Sequence, residues 1–233
     1  MSMADEQWQA WEPDVMLRRL RRMQELSGIR GEAPAPAPIK EVSQETLARD
    51  RREARLKSAG DLFPAAAAAA FQSVGRCPRI VGNEASEEMA RAVETFVRSP
   101  DMYSLVMIAP AGRGKSFAAT WAIAEWQQQA MWLPAFSCRV SSAWDALREE
   151  AMKASLLIVD DLNEEAGGEW GVREMAILMQ GRHNKGAKTI VTTNLMPDEI
   201  GARYGERLIS RWSEEPYSEI VITLGADLRR GGR

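Results

Sequence analysis

The chain has 233 residues, of which 45% are hydrophobic and 27% charged, with a formal net charge of −3. That suits a globular protein with room for one large domain and an appendage, and no overall basic field advertises nucleic acid, although a local patch suffices for a phosphate contact. Two distant cysteines (Cys77, Cys138) and one histidine exclude a Cys/His zinc site and a disulfide framework, while an acidic N-terminus and the lack of an apolar run of about 18 residues point to a cytoplasmic protein without a membrane segment.

The first region runs to about residue 30. In DVMLRRLRRMQELSGI, Met16, Leu20 and Met23 recur at helical spacing with Leu17 beside them, and Arg18, Arg19, Arg21 and Arg22 fill the polar arc. Asp14 is placed to cap this helix and Gly28 to stop it; Trp8 and Trp11 lie just upstream. GEAPAPAPIKE follows, and its alternating Ala-Pro favours an extended, semi-rigid spacer, so residues 31–43 read as a linker. QETLARDRREARLKS predicts a second, positively charged helix, leading into FPAAAAAAF, where Pro64 interrupts and the alanines favour helix.

From about residue 75 helix and strand alternate. SEEMARAVETFVRS reads as a helix with Ser86 as its cap. SLVMIA is a strand, followed by a glycine loop and the helical KSFAATWAIAEWQQQ. AMWLPAF suggests a second strand, and SSAWDALREEAMK a helix opened by Ser142-x-x-Asp145. SLLIVDDL and KTIVTTNL are buried-strand runs separated by a helix near 170–183, and EIVITLG is a last strand. Nearly continuous apolar strands alternating with helices predict an α/β fold with a parallel sheet covered on both faces.

The chemistry concentrates at three strand ends. Residues 109–116, APAGRGKS, match the phosphate-binding pattern G-x-x-x-x-G-K-[ST] except that Ala109 replaces its first glycine. Backbone N–H groups at a helix start suit an anion, and Gly112 and Gly114 let the backbone curl round a phosphate. Lys115 neutralises β/γ oxygens and Ser116 offers a hydroxyl to Mg²⁺. G-x-G-K-[ST] arises by chance in roughly one chain in a hundred of this length, and the strand before and helix after it make accident rarer. The loop is expected to bind nucleotide through Ala111, Gly112, Arg113, Gly114, Lys115, Ser116 and Phe117. The missing glycine is the pivot leaving the strand, and Pro110 keeps residue 109 extended.

SLLIVDDL delivers Asp160 to a strand end, to hold Mg²⁺ through water, with Asp161 beside it to orient or deprotonate the attacking water. In KTIVTTNL, Asn194 falls at another strand end, where its amide suits the water and a γ-phosphate oxygen; capping the turn before Pro197 is the simpler alternative. In YGERLISRWSEEP, Arg207 and Arg211 share a helical face. Such a pair is either a solvated face opposite Glu206, Glu214 or Glu215, or presents an arginine to a neighbouring subunit's γ-phosphate.

The order APAGRGKS, LLIVDDL, TIVTTNL, GERLISRW resembles the AAA+ ATPases of the DnaC/DnaI helicase-loader and IstB transposition-helper group. RLKSAGDLFPAAAAAAF is similar to the segment that introduces the ATPase core there, and LGADLRR to its terminal strand, glycine and arginine; the likeness spans roughly residues 50–230. The resemblance implies Walker A at Gly112, Gly114, Lys115 and Ser116, and Walker B at Asp160 and Asp161. It implies sensor I at Asn194 and an arginine finger at Arg211, with Arg207 its structural neighbour. An ATPase domain over 44–233 is implied, without the helical lid that carries sensor II in many AAA+ proteins. The implied ligands are ATP and Mg²⁺. The implied function is ATP-dependent loading of a replicative DnaB-type helicase onto single-stranded DNA by a homo-oligomer, a hexameric ring or spiral. An IstB-like transposition helper on duplex DNA is the alternative, and hydrolysis is expected to be slow without partner subunits.

Charge alone nominates Arg139, Arg148 and Lys153 as DNA contacts. The Met/Leu-striped N-terminal helix suits either a groove on the helicase or its own ATPase domain. Trp121, Trp126, Trp132, Trp144, Trp170 and Trp212 are expected in the core or a subunit interface rather than as base-stacking platforms.

Overall fold

The computed structural model describes residues 43–60, 64–79, 84–139 and 142–224. The expected N-terminal helix, its tryptophans and the Ala-Pro linker lie outside the described residues, which all belong to the unit Ser43–Arg233.

Three helices come first: α1 (Gln44–Gly60), α2 (Pro64–Gln72) and α3 (Glu84–Arg98). Pro64 opens α2 rather than interrupting it, because the first helical position has no N–H to lose. Ser86 sits inside the first turn of α3, which starts two residues earlier, and is buried there rather than capping the end. There follow β1 (Ser104–Ile108), α4 (Lys115–Glu125), β2 (Ala130–Pro134) with a short 3₁₀ turn over Ala135–Ser137, and α5 (Ser142–Lys153). Then come β3 (Leu156–Leu162), α6 (Gly168–Asn184), β4 (Lys188–Thr193), α7 (Pro197–Tyr204), α8 (Glu206–Trp212) and β5 (Ser218–Ile222).

All strand pairs are parallel, in the order β2-β3-β4-β1-β5. Alternation along each strand divides the core. Leu105, Met107, Leu156, Ile158 and Ile190 face one layer, where they meet Phe96, Trp121, Ile123 and Trp132. Val106, Ile108, Leu157, Val159 and Val191 face the other, with Trp144, Met175, Leu178, Leu208 and Trp212. Both faces of the sheet are thus covered, as continuous apolar strands require. Trp121, Trp132, Trp144 and Trp212 are core residues, and Trp126 and Trp170 pack against the core partly buried.

Two arginines serve as internal ties. Arg52 of α1 is buried; it donates from Nε to the Phe71 carbonyl (3.2 Å) and from its terminal nitrogens to the carbonyls of Ala70 and Ala124, and it pairs with Glu125. It therefore joins the C-terminal turns of α2 and α4, whose last carbonyls lack helical partners. Arg182 of α6 is fully buried and faces no carboxylate among its bonded partners. Its Nη1 donates to the Ala151 (2.6 Å) and Ala154 (2.9 Å) carbonyls, its Nη2 to the Lys188 carbonyl (2.6 Å) and its Nε to Thr189 Oγ1 (2.9 Å). Burial pulls its guanidinium down to about 10. Replacing it by methionine removes the buried charge but orphans these acceptors. Arg182→Met is expected to lower stability by about 3 kcal/mol in urea unfolding, and a loss under about 1 kcal/mol would contradict this tie.

Candidate functional site

The strand order places the carboxyl ends of β3, β4 and β1 side by side, and the chain's crossover from β1 to the far edge at β2 opens a crevice above them. The loop after β1 carries Pro110 to Gly114 and runs straight into α4. Ala109 is buried, and its N–H donates to the Thr193 carbonyl at 3.1 Å, so residue 109 still belongs to the sheet. Among the described residues only Asp161 and Asn163 are non-glycines with positive φ. Residue 109 therefore asks for no glycine, whereas Gly112 (φ 80°) and Gly114 (φ 93°) occupy left-handed conformations that a Cβ disfavours.

Lys115, the first residue of α4, is 6% exposed and bends back along its own loop, donating from Nζ to the carbonyls of Ala109 (2.7 Å) and Pro110 (3.2 Å). Arg113 leans away and donates from Nη2 to the Leu224 carbonyl at 2.6 Å. Phe117 is half-buried one turn into the helix.

Ser116 Oγ donates to Asp160 Oδ1 at 2.8 Å, and Thr192 Oγ1 donates to the same oxygen at 2.7 Å. Three elements thereby converge on one buried carboxylate: α4, β3 and β4. Burial pushes Asp160 up to about 6, reinforced by Asp161 and opposed by the Thr192 and Ser116 hydroxyls and by Lys115.

Asp161, the next residue along β3, points to the other side, as strand alternation dictates, and a bulge lies at this step. Val159 pairs with Val191 but Leu162 with Thr193, so β3 carries one residue more than β4 across this step. The extra residue takes φ 51° at Asp161, whose N–H donates to Thr192 Oγ1 at 2.9 Å. Asp160 lies inward and its neighbour is exposed. Asp161 and the exposed Asn194 then line one cleft with Ala111, Lys115, Leu162 and Glu164.

Arg211 is elsewhere. It ends α8, and its carbonyl accepts the Glu214 N–H, which belongs to the turn whose Tyr217 carbonyl receives the Tyr103 and Ser104 N–H groups. Arg211 therefore stands at the amino ends of β1 and β5, a strand length of about 13 Å from the cleft. It is half-buried, and its Nη1 has no hydrogen-bond acceptor among the described residues. Near it are Glu214 and His183, whose imidazole is lowered by burial first and by the Arg211 charge second. Arg207 is exposed.

Of the suggested DNA contacts, Arg148 faces Asp145 (3.6 Å) and Glu174 (3.7 Å), Lys153 pairs with Glu149, and Arg139 is exposed. Thr192 was not singled out in the sequence, where TT reads only as strand. Its role at the bulge depends on a register that no spacing encodes.

Among the described residues, no cluster of three or more His, Cys, Asp or Glu side chains is arranged for a metal. Any cation here would be held by Ser116 Oγ and Asp160 Oδ1, two hard oxygens suited to Mg²⁺, together with the substrate's own oxygens.

The Asp160 carboxyl gives a pH test. Its folded value, about 6, lies above its ordinary 3.8. The sign follows: the protonated form is the better accommodated, so stability present below pH 3.8 is lost as pH rises through about 6. Asp160→Asn is expected to stabilise the ligand-free protein at pH 8 by up to about 3 kcal/mol, the gain shrinking through pH 6 and vanishing near pH 4. Urea unfolding at the three pH values checks this, and a variant less stable than the parent at pH 8 would contradict it.

No protein-family model matches the chain, and no curated protein matches it in sequence. Solved structures do. DnaI superposes with a TM-score of 0.51 at 15% identity, covering 61% of this chain and 87% of that one. AMPPCP-bound DnaA from Aquifex aeolicus gives 0.52 at 15% identity, over 61% of this chain and 48% of that one. The DnaC helicase loader gives 0.48 at 18% identity, over 62% of this chain and 92% of that one; the fold assignment rests on the first two. With an all-parallel five-stranded sheet flanked by helices on both faces, the chain has the AAA+ P-loop NTPase fold seen in DnaI and DnaA.

Proposed function

We propose that the chain is an ATP-dependent loader that places a replicative DnaB-type helicase on single-stranded DNA, working as a homo-oligomeric ring or spiral with ATP bound between subunits. The observation that carries this reading is the division of the machinery between two edges of one sheet. Lys115, Ser116, Asp160, Asp161 and Asn194 gather at the carboxyl edge, and the half-buried Arg211 lies at the amino edge. A strand length of about 13 Å exceeds the reach of an arginine, so Arg211 meets a γ-phosphate only across a subunit boundary.

Within the cleft each residue has a physical task. The N–H groups of the 112–115 turn donate to phosphate oxygens, and Lys115 exchanges the carbonyls of Ala109 and Pro110 for β/γ oxygens. Ser116 and Asp160 hold Mg²⁺, which when bound neutralises charge on the β- and γ-phosphates. Asp161, exposed and unburdened by the hydroxyls that engage Asp160, orients the attacking water and takes its proton. The Asn194 amide bridges that water and a γ-phosphate oxygen.

Helicase loading rests on the order of APAGRGKS, LLIVDDL, TIVTTNL and GERLISRW, and on the N-terminal residues 1–30 as the partner-binding segment, joined by the 31–43 linker to the ATPase domain. It is tested by native mass measurement of the full chain mixed with the DnaB-type helicase of its source, with and without ATP. A complex in at least one condition is expected. No complex in either overturns the loader assignment, and filaments on duplex DNA in its place would assign a transposition helper. The nucleotide site has its own test by equilibrium binding. Lys115→Ala is expected to weaken ATP at least tenfold, and Ala109→Gly to change it less than tenfold, since residue 109 needs no positive φ.

A further inference from the structure

The segment after β3 holds an arrangement that nucleotide binding leaves unexplained. Asp161 (φ 51°) and Asn163 (φ 114°) are both left-handed, a pairing non-glycine residues keep only when neighbours over-determine it. Thr192 Oγ1 holds the Asp161 N–H, and at Asn163 the over-determining group is Glu165. Its side chain is wholly buried, and Oε1 accepts the Asn163 N–H at 3.0 Å. The same oxygen accepts the Tyr204 hydroxyl at 2.5 Å, while Oε2 accepts Arg203 Nη2 at 3.0 Å. Burial, then the bond to Glu165, raises the Tyr204 phenol, which keeps it a donor. From the other side the segment is pressed against α6, where a Cβ on Gly171 would stand 2.9 Å from the Ala166 carbonyl oxygen and 3.2 Å from Glu165 Cβ.

We propose that Glu165 is a positioning residue: it fixes the left-handed turn that presents Asp161 to the cleft, and it locks that turn to α7, the first half of the helix pair whose second half carries Arg211. One carboxylate thus links the water-activating end of a subunit's own site to the element that serves its neighbour's. The Asn163 N–H and the Arg203–Tyr204 pair come from different elements, and among the described residues Glu165 hydrogen-bonds both. This role deepens the ATPase reading and rests on it for its catalytic consequence, but its structural half stands alone.

Two measurements on the full chain separate these halves. The first is amide hydrogen exchange without nucleotide. Glu165→Ala is expected to speed exchange at least tenfold in both 161–166 and 197–204, with β1 and α4 unchanged. Unchanged exchange in 161–166 overturns the proposal whatever the protein's activity. The second is ATP hydrolysis by the assembled protein. Glu165→Ala is expected to cut turnover at least tenfold while AMPPCP affinity stays within threefold, because the bonds of Glu165 go to Asn163, Arg203 and Tyr204 and not to the 109–117 loop.

Adding Asn163→Gly to Glu165→Ala is expected to recover part of the turnover, since glycine adopts the left-handed turn unaided. A purely structural lesion would gain nothing from a second, more flexible residue. Turnover of Glu165→Ala within twofold of the parent, or no recovery with glycine at 163, overturns the positioning role. Should Glu165→Ala fail to fold, Glu165→Gln combined with Tyr204→Phe keeps an acceptor for the Asn163 N–H while cutting the α7 tie. It is expected to speed exchange in 197–204 at least threefold, and unchanged exchange there overturns the link. If the parent itself hydrolyses no ATP, the ATPase reading fails and the exchange experiment still decides the link.

Discussion

One buried carboxylate organises the carboxyl edge of this sheet. Asp160 receives the Ser116 hydroxyl from the head of α4 and the Thr192 hydroxyl from the end of β4, so a single side chain holds three elements in register. The arrangement is costly to the ligand-free chain: burial, with the adjacent Asp161, opposes ionisation more than the hydroxyls favour it.

From that point the rest of the site follows by geometry. A parallel sheet sends every strand's carboxyl end to the same edge, and the order β3-β4-β1 makes neighbours of three segments distant in sequence. At the bulge one hydroxyl serves both acids: Thr192 Oγ1 donates to the Asp160 carboxylate and accepts the Asp161 N–H. At the opposite, amino edge the frame is tied by arginines that mostly donate to backbone carbonyls rather than pair with acids. Arg52 gathers the ends of α2 and α4, and Arg182 gathers α5, α6 and β4. Such ties are directional, and they fix where helices end relative to strands more sharply than apolar packing does.

Much of this was legible in the sequence because it is written in local signals. Strand-length apolar runs ending in Gly-rich, acidic or Asn residues located β1, β3 and β4 and their functional ends, and APAGRGKS located the loop. The placement of Ala109 was legible too, since Pro110 and the intact glycines said where positive φ was needed. What was hidden depends on register or on long-range contact. Nothing in VDDL announces a bulge, Thr192 reads as one more β-former, and Glu165 lies in an unremarkable acidic loop whose partners are 38 and 39 residues away. Ser86 and Pro64 differ from expectation at helix starts: Ser86 lies two residues inside α3, and Pro64 is the first residue of α2. The distance between Arg211 and the cleft was likewise invisible, because a four-residue spacing on a helix says nothing about which end of the sheet that helix reaches.

The central claim is that a complete site needs two copies of the chain, one giving Lys115 and the acids, the other giving Arg211. The most direct measurement is ATP hydrolysis by mixed subunits. Lys115→Ala and Arg211→Ala proteins are each prepared alone, shown to fold, and then combined in equal amounts at a concentration where the parent assembles. Each alone is expected to be inactive, and the mixture to regain a substantial fraction of parental turnover, because an intact Lys115 then faces an intact Arg211. A mixture no more active than its components, or an Arg211→Ala protein as active alone as the parent, would contradict the account.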